Sequence, residues 1–163
     1  EEFVMQIKLA QQNNIRVVLL ERGDIVNSTS LCWTVLAPDT QSFYLDENEA
    51  SLVLALNYGN FEGVFMGDAG FEAERLIEEA GVCDVTLLKV AHHGSSIGTN
   101  SEEFIELLSP QIAVISSGKN NVYGHPHKET IRRLEAVKSK IFGTAEFGQI
   151  TVEAEDDGKV YIK

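Results

Sequence analysis

The 163-residue sequence has few prolines, few cysteines and no long apolar run. With 3 Pro and a 44% apolar fraction, it lacks the composition of a disordered chain. No run approaches the ~18–20 apolar residues of a membrane span, and no segment resembles a signal peptide. A soluble globular unit is therefore expected, one domain over 1–163 with a real core. We expect Cys32 and Cys83, in or beside apolar runs, to be small core residues.

Positive charge is also scarce. The chain has 13 Lys and Arg against 25 Asp and Glu, a net charge of −12. This balance opposes non-specific binding to DNA, which depends on neutralising phosphates with basic side chains. A nucleic-acid substrate would have to rely on metal ions and on local bases such as Lys89, Lys119 and Lys128.

Histidine is missing from the first 91 residues, and all four histidines fall in two clusters. His92 and His93 follow an apolar run, 85–91, that predicts a buried strand, and they precede the small polar loop 94–100. His125 and His127 follow a second apolar run and a polar loop. Ordinary surface or capping roles are the alternative. We favour a functional site, because each cluster lies at a strand exit beside Gly or Pro.

Asp68 is placed similarly, after the second strand of a predicted hairpin and before a helix. It is either the N-cap of that helix or a carboxylate pointing into the same rim as the histidine pair. A carboxylate with imidazoles on neighbouring strand ends is the ligand set of a hydrolytic metal site.

Pro126 is expected in the first turn of a helix, which would place His125 at the helix mouth, where a phosphate is favoured. The alternative is that His125 and His127 only cap that helix.

The hydrophobic pattern predicts an α/β layered domain with a mixed sheet and no dividing linker. Predicted helices cover about 1–13, 70–80, 101–108 and 127–138. Predicted strands cover about 15–20, 31–37, 51–58, 61–67, 84–91, 111–116, 141–142, 148–152 and 160–162. Asp156-Asp157-Gly158 is a hairpin turn signal. The polar loop 38–49 is expected near the site.

Three segments, SLVLALNYGNFEGVFMGDAG, DVTLLKVAHHGSS and ISSGKNNVYGHPH, resemble the later motifs of the metallo-β-lactamase superfamily. In particular they are similar to the soluble hydrolase domain of the ComEC/Rec2 competence proteins, a DNA-uptake channel family. The resemblance runs from about Val17 to the C-terminus. It implies part of a four-layer αβ/βα sandwich that holds two divalent ions, Zn or Mn, in the complete domain.

The resemblance also implies roles for individual residues. Asp68 corresponds to the bridging carboxylate, and His93, or less favourably His92, to the late metal ligand. Asn48 stands near the position of the middle ligand, and His125 at the substrate edge. Further substrate contacts are assigned to Ser95, Lys119 and His127.

One family feature is missing, the early HxHxDH-type motif that supplies most metal ligands. The chain therefore resembles the C-terminal portion of a longer domain, and we expect it to hold metal weakly and to be nearly inactive alone. A missing half would uncover a sheet face or edge, including apolar residues of 17–20 and 31–36, so we expect self-association.

For the complete domain, the resemblance implies a metal-dependent phosphodiester hydrolase on the extracytoplasmic side of the bacterial cell membrane. Its substrate would be the single DNA strand that is not taken up, and its partner the rest of the parent membrane channel. Two alternatives remain open. One is a hydrolase of the same fold acting on phosphocholine or other small phosphoesters, and the other is a non-catalytic, metal-free assembly piece.

Overall fold

A computed structural model describes residues 2–40 and 47–163. It contains a seven-stranded mixed sheet and a separate two-stranded sheet. The seven strands are β1 Ile25–Ser28, β2 Leu31–Ala37, β3 Val53–Tyr58, β4 Phe61–Phe65, β5 Leu87–Lys89, β6 Ile112–Ile115 and β7 Lys140–Gly143; the small sheet pairs β8 Val152–Ala154 with β9 Val160–Ile162. The helices are α1 Glu2–Gln12, α2 Phe71–Glu79, α3 Glu102–Leu108, α4 Lys128–Ala136 and α5 Thr144–Phe147.

The order of strands in the large sheet follows the order of the chain. Strands β1 to β4 pair antiparallel, whereas β4, β5, β6 and β7 pair parallel. Parallel neighbours need a crossover connection, and α2, α3 and α4 provide the three crossovers. This arrangement confirms the expected α/β class with a mixed sheet.

The main core lies between one face of this sheet and the crossover helices. Helix α2 contributes Ala73, Leu76 and Ile77, which recur at the three- and four-residue spacing of one helix face. Against them pack fully buried strand residues such as Val64 and Leu88. Burying each large side chain contributes about 1.5–3 kcal/mol, so this packing fixes the strand ends that carry the candidate site.

The second sheet face is only partly covered by the chain. The β8–β9 hairpin packs over Phe61, Leu87 and Ile112. Beside it, a cavity of about 600 Å³ is lined mainly by apolar side chains, including Leu56 and Phe65. Part of this face is therefore uncovered, as expected. The residues of 31–36, which were also expected to be uncovered, are half-buried or buried, because β2 is paired on both sides. Self-association stays a prediction.

The strand predicted at 15–20 is wrong, and β1 was missed. Residues 15–20 form no strand, and the side chains of Ile15, Val18 and Leu19 are 60%, 54% and 83% exposed. An apolar run becomes a strand only where a neighbour takes its backbone hydrogen bonds. Residues 29 and 30 form a short hairpin loop that places β1 beside β2. Strand β1 therefore takes the place next to β2 in the sheet, and the segment 15–20 is left without a strand to pair with.

Smaller predictions have mixed outcomes. Cys32 is half-buried, but Cys83 is exposed, because it follows the end of α2 rather than entering the core. The strand predicted at 148–152 begins only at Val152, after the short helix α5. The predicted hairpin turn at 156–158 joins β8 to β9. Of the polar loop 38–49, residues 41–46 lie outside the described residues. None of the helices described is long and apolar enough to cross a membrane.

Candidate functional site

The candidate site lies at the carboxyl ends of three parallel strands. Asp68 follows β4, His92 and His93 follow β5, and the loop carrying His125 follows β6. Parallel strands end on the same edge of a sheet, which is where ligands bind in open α/β sheets. The structure thus brings together the side chains that the sequence placed at strand exits.

The histidine pair occupies a strained 3₁₀ turn, Ala91–Gly94. Both residues lie in the left-handed region, His92 at φ 45° and His93 at φ 57°. Such backbone costs on the order of 1–3 kcal/mol per residue and persists only where its surroundings enforce it. The backbone N–H of His92 donates to Gly67 O at 3.0 Å, which ties the turn to the loop carrying Asp68.

Asn100 is the main brace of this turn. It is fully buried, and its Nδ2 donates to Ala91 O at 3.1 Å and to Ser95 O at 2.7 Å. One side chain therefore holds both ends of the segment that carries the two histidines. Sequence reasoning missed Asn100, which looked like one more polar residue of a loop.

Asp68 and His93 face each other in the site. Asp68 Oδ1 lies 3.6 Å from His93 Nε2, and both side chains are partly exposed. On the other side of the ring, Nδ1 lies 2.6 Å from Ser116 O. A carbonyl only accepts, so Nδ1 carries a proton and Nε2 is the nitrogen that faces the carboxylate. In the neutral form of the ring, that nitrogen and the carboxylate oxygen are both acceptors and would leave a place for a cation between them.

The geometry of this pair fits two ligands of one metal ion. Ligands held tetrahedrally at 2.0–2.2 Å are about 3.4 Å apart, close to the observed separation. A backbone carbonyl on the distal nitrogen is also the usual support of a metal-binding histidine. However, residues 2–40 and 47–163 contain no group of three His, Cys, Asp or Glu side chains placed to hold a metal. Asn48 lies in the turn 47–50 before β3, where its carbonyl accepts from Ser51 N.

His125 is at the centre of the aromatic cluster. Its ring centroid lies 5.7 Å from that of His92, 6.5 Å from His93 and 4.7 Å from His127. Partial burial, and then repulsion from the neighbouring imidazoles, lowers the pKa of His125 below its ordinary value, although Asp68 opposes the shift. His125 is therefore neutral near neutral pH and keeps both a donor and an acceptor nitrogen.

His127 holds the site together. It occupies the N-cap position of α4, but its side chain makes no cap hydrogen bond. Instead its Nδ1 accepts from Ser96 N at 3.0 Å, and its backbone N–H donates to Gly94 O. Pro126 precedes the cap, so the expected position in the first helical turn is wrong. His127 links α4 to the histidine loop.

The loop after β6 shapes a cavity of about 280 Å³ beside the pair. Asn121 closes this loop, because its Oδ1 accepts from His125 N and its Nδ2 donates to Gly118 O and His125 O. The cavity is lined by His93, Ser116, Ser117, Gly118, Asn121, Tyr123 and His125. Lys119 is exposed in the turn between two of these residues.

Two residues expected to serve a substrate are placed elsewhere. Ser95 is only 3% exposed, and its Oγ is bonded within the loop to Ile97 N, so its hydroxyl does not face the cavity. Lys89 lines the apolar cavity on the second sheet face. Burial there lowers the pKa of its ammonium, an effect that Asp68 opposes, and its Nζ donates to Val90 O.

No family model matches the chain. It is 32% identical to the ComE operon protein 3 of Bacillus subtilis over 145 residues, which are 88% of this chain and 18% of that protein. It is 35% identical to recombination protein 2 of Haemophilus influenzae over 106 residues, 65% of this chain and 13% of that protein. It is also 30% identical to competence protein ComA of Neisseria gonorrhoeae over 111 residues, 64% of this chain and 16% of that protein. The chain spans less than a fifth of the length of each relative.

Proposed function

We propose that this chain is part of the hydrolase domain of a competence protein that takes up DNA through the cell membrane. The domain would cleave phosphodiester bonds in the DNA strand that is not taken up. The similarity to the three relatives supports a role in competence. The metallo-β-lactamase fold, the hydrolytic activity, the extracytoplasmic location and the contact with a parent channel all belong to the proposal.

The observation that carries the proposal is the pair of Asp68 and His93. Their facing oxygen and nitrogen lie 3.6 Å apart, and the contact with Ser116 O holds Nδ1 on the other side of the ring. Among residues 2–40 and 47–163, no third His, Cys, Asp or Glu side chain is placed to join this pair on a metal ion. Apart from Asn48, further ligands of a two-metal centre would therefore come from outside the described residues. A bound divalent ion would supply a water molecule of lowered pKa for attack on phosphorus.

The residues of this chain would divide the remaining work. Asp68 and His93 would hold the ion, and the hydrogen bond to Ser116 would keep the His93 ring in its binding tautomer. Neutral His125 would donate a hydrogen bond to a phosphate oxygen and stabilise the charge that develops there. His127 and Asn100 would position these groups through the backbone, without contact with the substrate.

Metal content and hydrolysis, measured together in the protein at its full natural length, test the proposal. Substrates are a single-stranded DNA oligomer and a small chromogenic phosphodiester, each with Mn²⁺ or Zn²⁺. We expect cleavage of the DNA, and we expect Asp68→Asn and His93→Gln to lose metal and activity together. His125→Gln should keep the metal and lose rate by about 10²-fold or more. Asp156→Asn, in the distant β8–β9 turn, is the matched control.

Each contrary result points to a different correction. Metal loss in His125→Gln would make that residue a ligand. Hydrolysis of the small diester in preference to DNA would favour a small-phosphoester hydrolase. If the wild-type protein is inactive and holds no metal, the remaining alternative is that the chain is a non-catalytic piece of a larger assembly.

A further inference from the structure

Tyr123 is an aromatic side chain held open to solvent beside the candidate site. Its residue surface is 75% exposed, although the ring lies only 5.7 Å from that of His125 and nearly parallel to it, at 23°. His125 therefore supports one side of the ring, and most of the remaining surface is free. An exposed ring stacked on a site residue is available to a planar ligand.

The loop that presents Tyr123 is braced. The side chain of Asn121 bonds the loop to itself on both sides of the tyrosine, at Gly118 O and at the backbone of His125. Gly124, at φ +71°, supplies a left-handed turn that a larger residue would adopt only with strain. The ring is thus partly pre-organised, which reduces the ordering cost of stacking on it.

The same cavity connects Tyr123 to the proposed reaction centre. Tyr123, His125 and His93 all line it, and their ring centroids follow one another at 5.7 and 6.5 Å. A nucleotide whose base lies on Tyr123 would bring its own phosphate towards His125 and the pair of Asp68 and His93. We propose that Tyr123, supported by His125, is a stacking subsite for one unpaired nucleobase of the substrate, an inference that rests on the proposed function.

Stacking on a base is a source of affinity that does not require positive charge. A net charge of −12 opposes binding through the phosphate backbone. Base–aromatic stacking does not depend on that charge and strengthens affinity by about 5- to 150-fold per base. In a duplex the base faces are covered by neighbouring bases, so the subsite selects a single strand or a frayed end. A small phosphoester without an aromatic ring gains nothing from it.

Binding of two oligomers of equal length, oligothymidylate and a fully abasic strand, tests the subsite. Affinities for the 163-residue chain are measured by anisotropy of an end label. The wild-type chain should prefer oligothymidylate by about tenfold or more, within the range expected for one stacked base. Tyr123→Leu should lose that preference without weaker binding of the abasic strand, and Tyr123→Trp should retain it. Tyr161→Leu, which changes an exposed tyrosine on β9, should behave as wild type.

Equal affinity of the wild-type chain for the two strands would overturn the subsite, as would a preference that survives Tyr123→Leu or a failure to bind either strand. Cleavage of the same strands by the full-length protein separates this inference from the proposed function. Metal-dependent cleavage with no base preference would support the proposed hydrolase function and refute the stacking subsite. A base preference that depends on Tyr123, without any cleavage, would support the stacking subsite and refute the hydrolase function.

Discussion

Replacing Asn100 by Ala should destabilise the protein more than any comparable change in a surface loop. The substitution removes the two hydrogen bonds that Asn100 Nδ2 donates to Ala91 O and Ser95 O. Ser95 O retains a second donor, Thr130 Oγ1 at 3.0 Å, and Ala91 O retains the backbone of its own 3₁₀ turn, Ala91–Gly94. The residue also has φ 53°, which Asn tolerates better than Ala.

These contributions set the size of the effect. Losing one of its hydrogen bonds costs about 0.5–1.5 kcal/mol at each of the two carbonyls, Ala91 O and Ser95 O. The left-handed backbone adds about 1 kcal/mol for Ala. Asn100 Oδ1 is buried without a hydrogen-bond partner in the described part of the chain, so its removal offsets about 1 kcal/mol. We expect a net loss of about 1–3 kcal/mol, a substantial share of the ~5–15 kcal/mol typical of a domain.

Urea unfolding followed by the fluorescence of the single tryptophan, Trp33, measures this loss. The matched control is Asn120→Ala, because Asn120 is also left-handed, at φ 59°, but lies exposed in a turn. That variant should lose only the backbone contribution of about 1 kcal/mol. If Asn100→Ala is no more destabilising than Asn120→Ala, then Asn100 does not brace the histidine turn.

Three further predictions concern pH, metal and association. Burial raises the pKa of Glu74 above its ordinary 4.5 despite the hydrogen bonds from Ser101, so the folded state binds the extra proton. The free energy of unfolding should therefore fall as pH rises from 4.5 through that raised pKa, and urea titrations of Glu74→Gln should lack this component. Calorimetry should show only weak Mn²⁺ binding by the isolated chain, and an assay with a DNA oligomer should show almost no hydrolysis. Robust cleavage that Asp68→Ala abolishes would contradict this prediction. Sedimentation should detect self-association through the exposed residues of 15–20, at about 25 cal/mol per Å² of apolar area buried, and a stable monomer would refute it.

The elements that pack against the main core could be predicted from the sequence. In α2, apolar residues recur at helical spacing and a glycine precedes the helix, so the prediction and the structure differ at the ends by one residue. The strands β3 to β6 are apolar runs between turn signals. A tight turn makes β3 and β4 an antiparallel hairpin, whereas the helices between β4, β5 and β6 allow parallel pairing. The segment 15–20 has the same composition as these strands, but composition does not show whether a neighbour will accept its hydrogen bonds.

Some residues of the candidate site could be predicted from the sequence, and others could not. His93 and His125 could be found because histidine is rare in this chain and falls in two clusters after predicted strands. Asp68 could be found because it lies directly after a predicted strand. Tyr123 and Asn121 could not, because Tyr123 depends on how the loop turns after β6 and Asn121 on what its amide reaches. Ser95 is the opposite case, a residue wrongly predicted to contact the substrate. A serine close to two histidines suggests such a contact, and only the folded loop shows that Ser95 is buried.

The choice between His92 and His93 shows most clearly what the folded structure adds. The two residues are adjacent and identical in type, so no pattern of residue types separates them. Ser116 O lies 2.6 Å from Nδ1 of His93, and because a carbonyl oxygen only accepts, Nδ1 donates a hydrogen bond to it. Nε2 of His93 is thereby the nitrogen that faces Asp68 Oδ1. Because the partner is a backbone carbonyl, replacing the Ser116 side chain should leave this preference intact, whereas a shift of β6 relative to β5 would remove it.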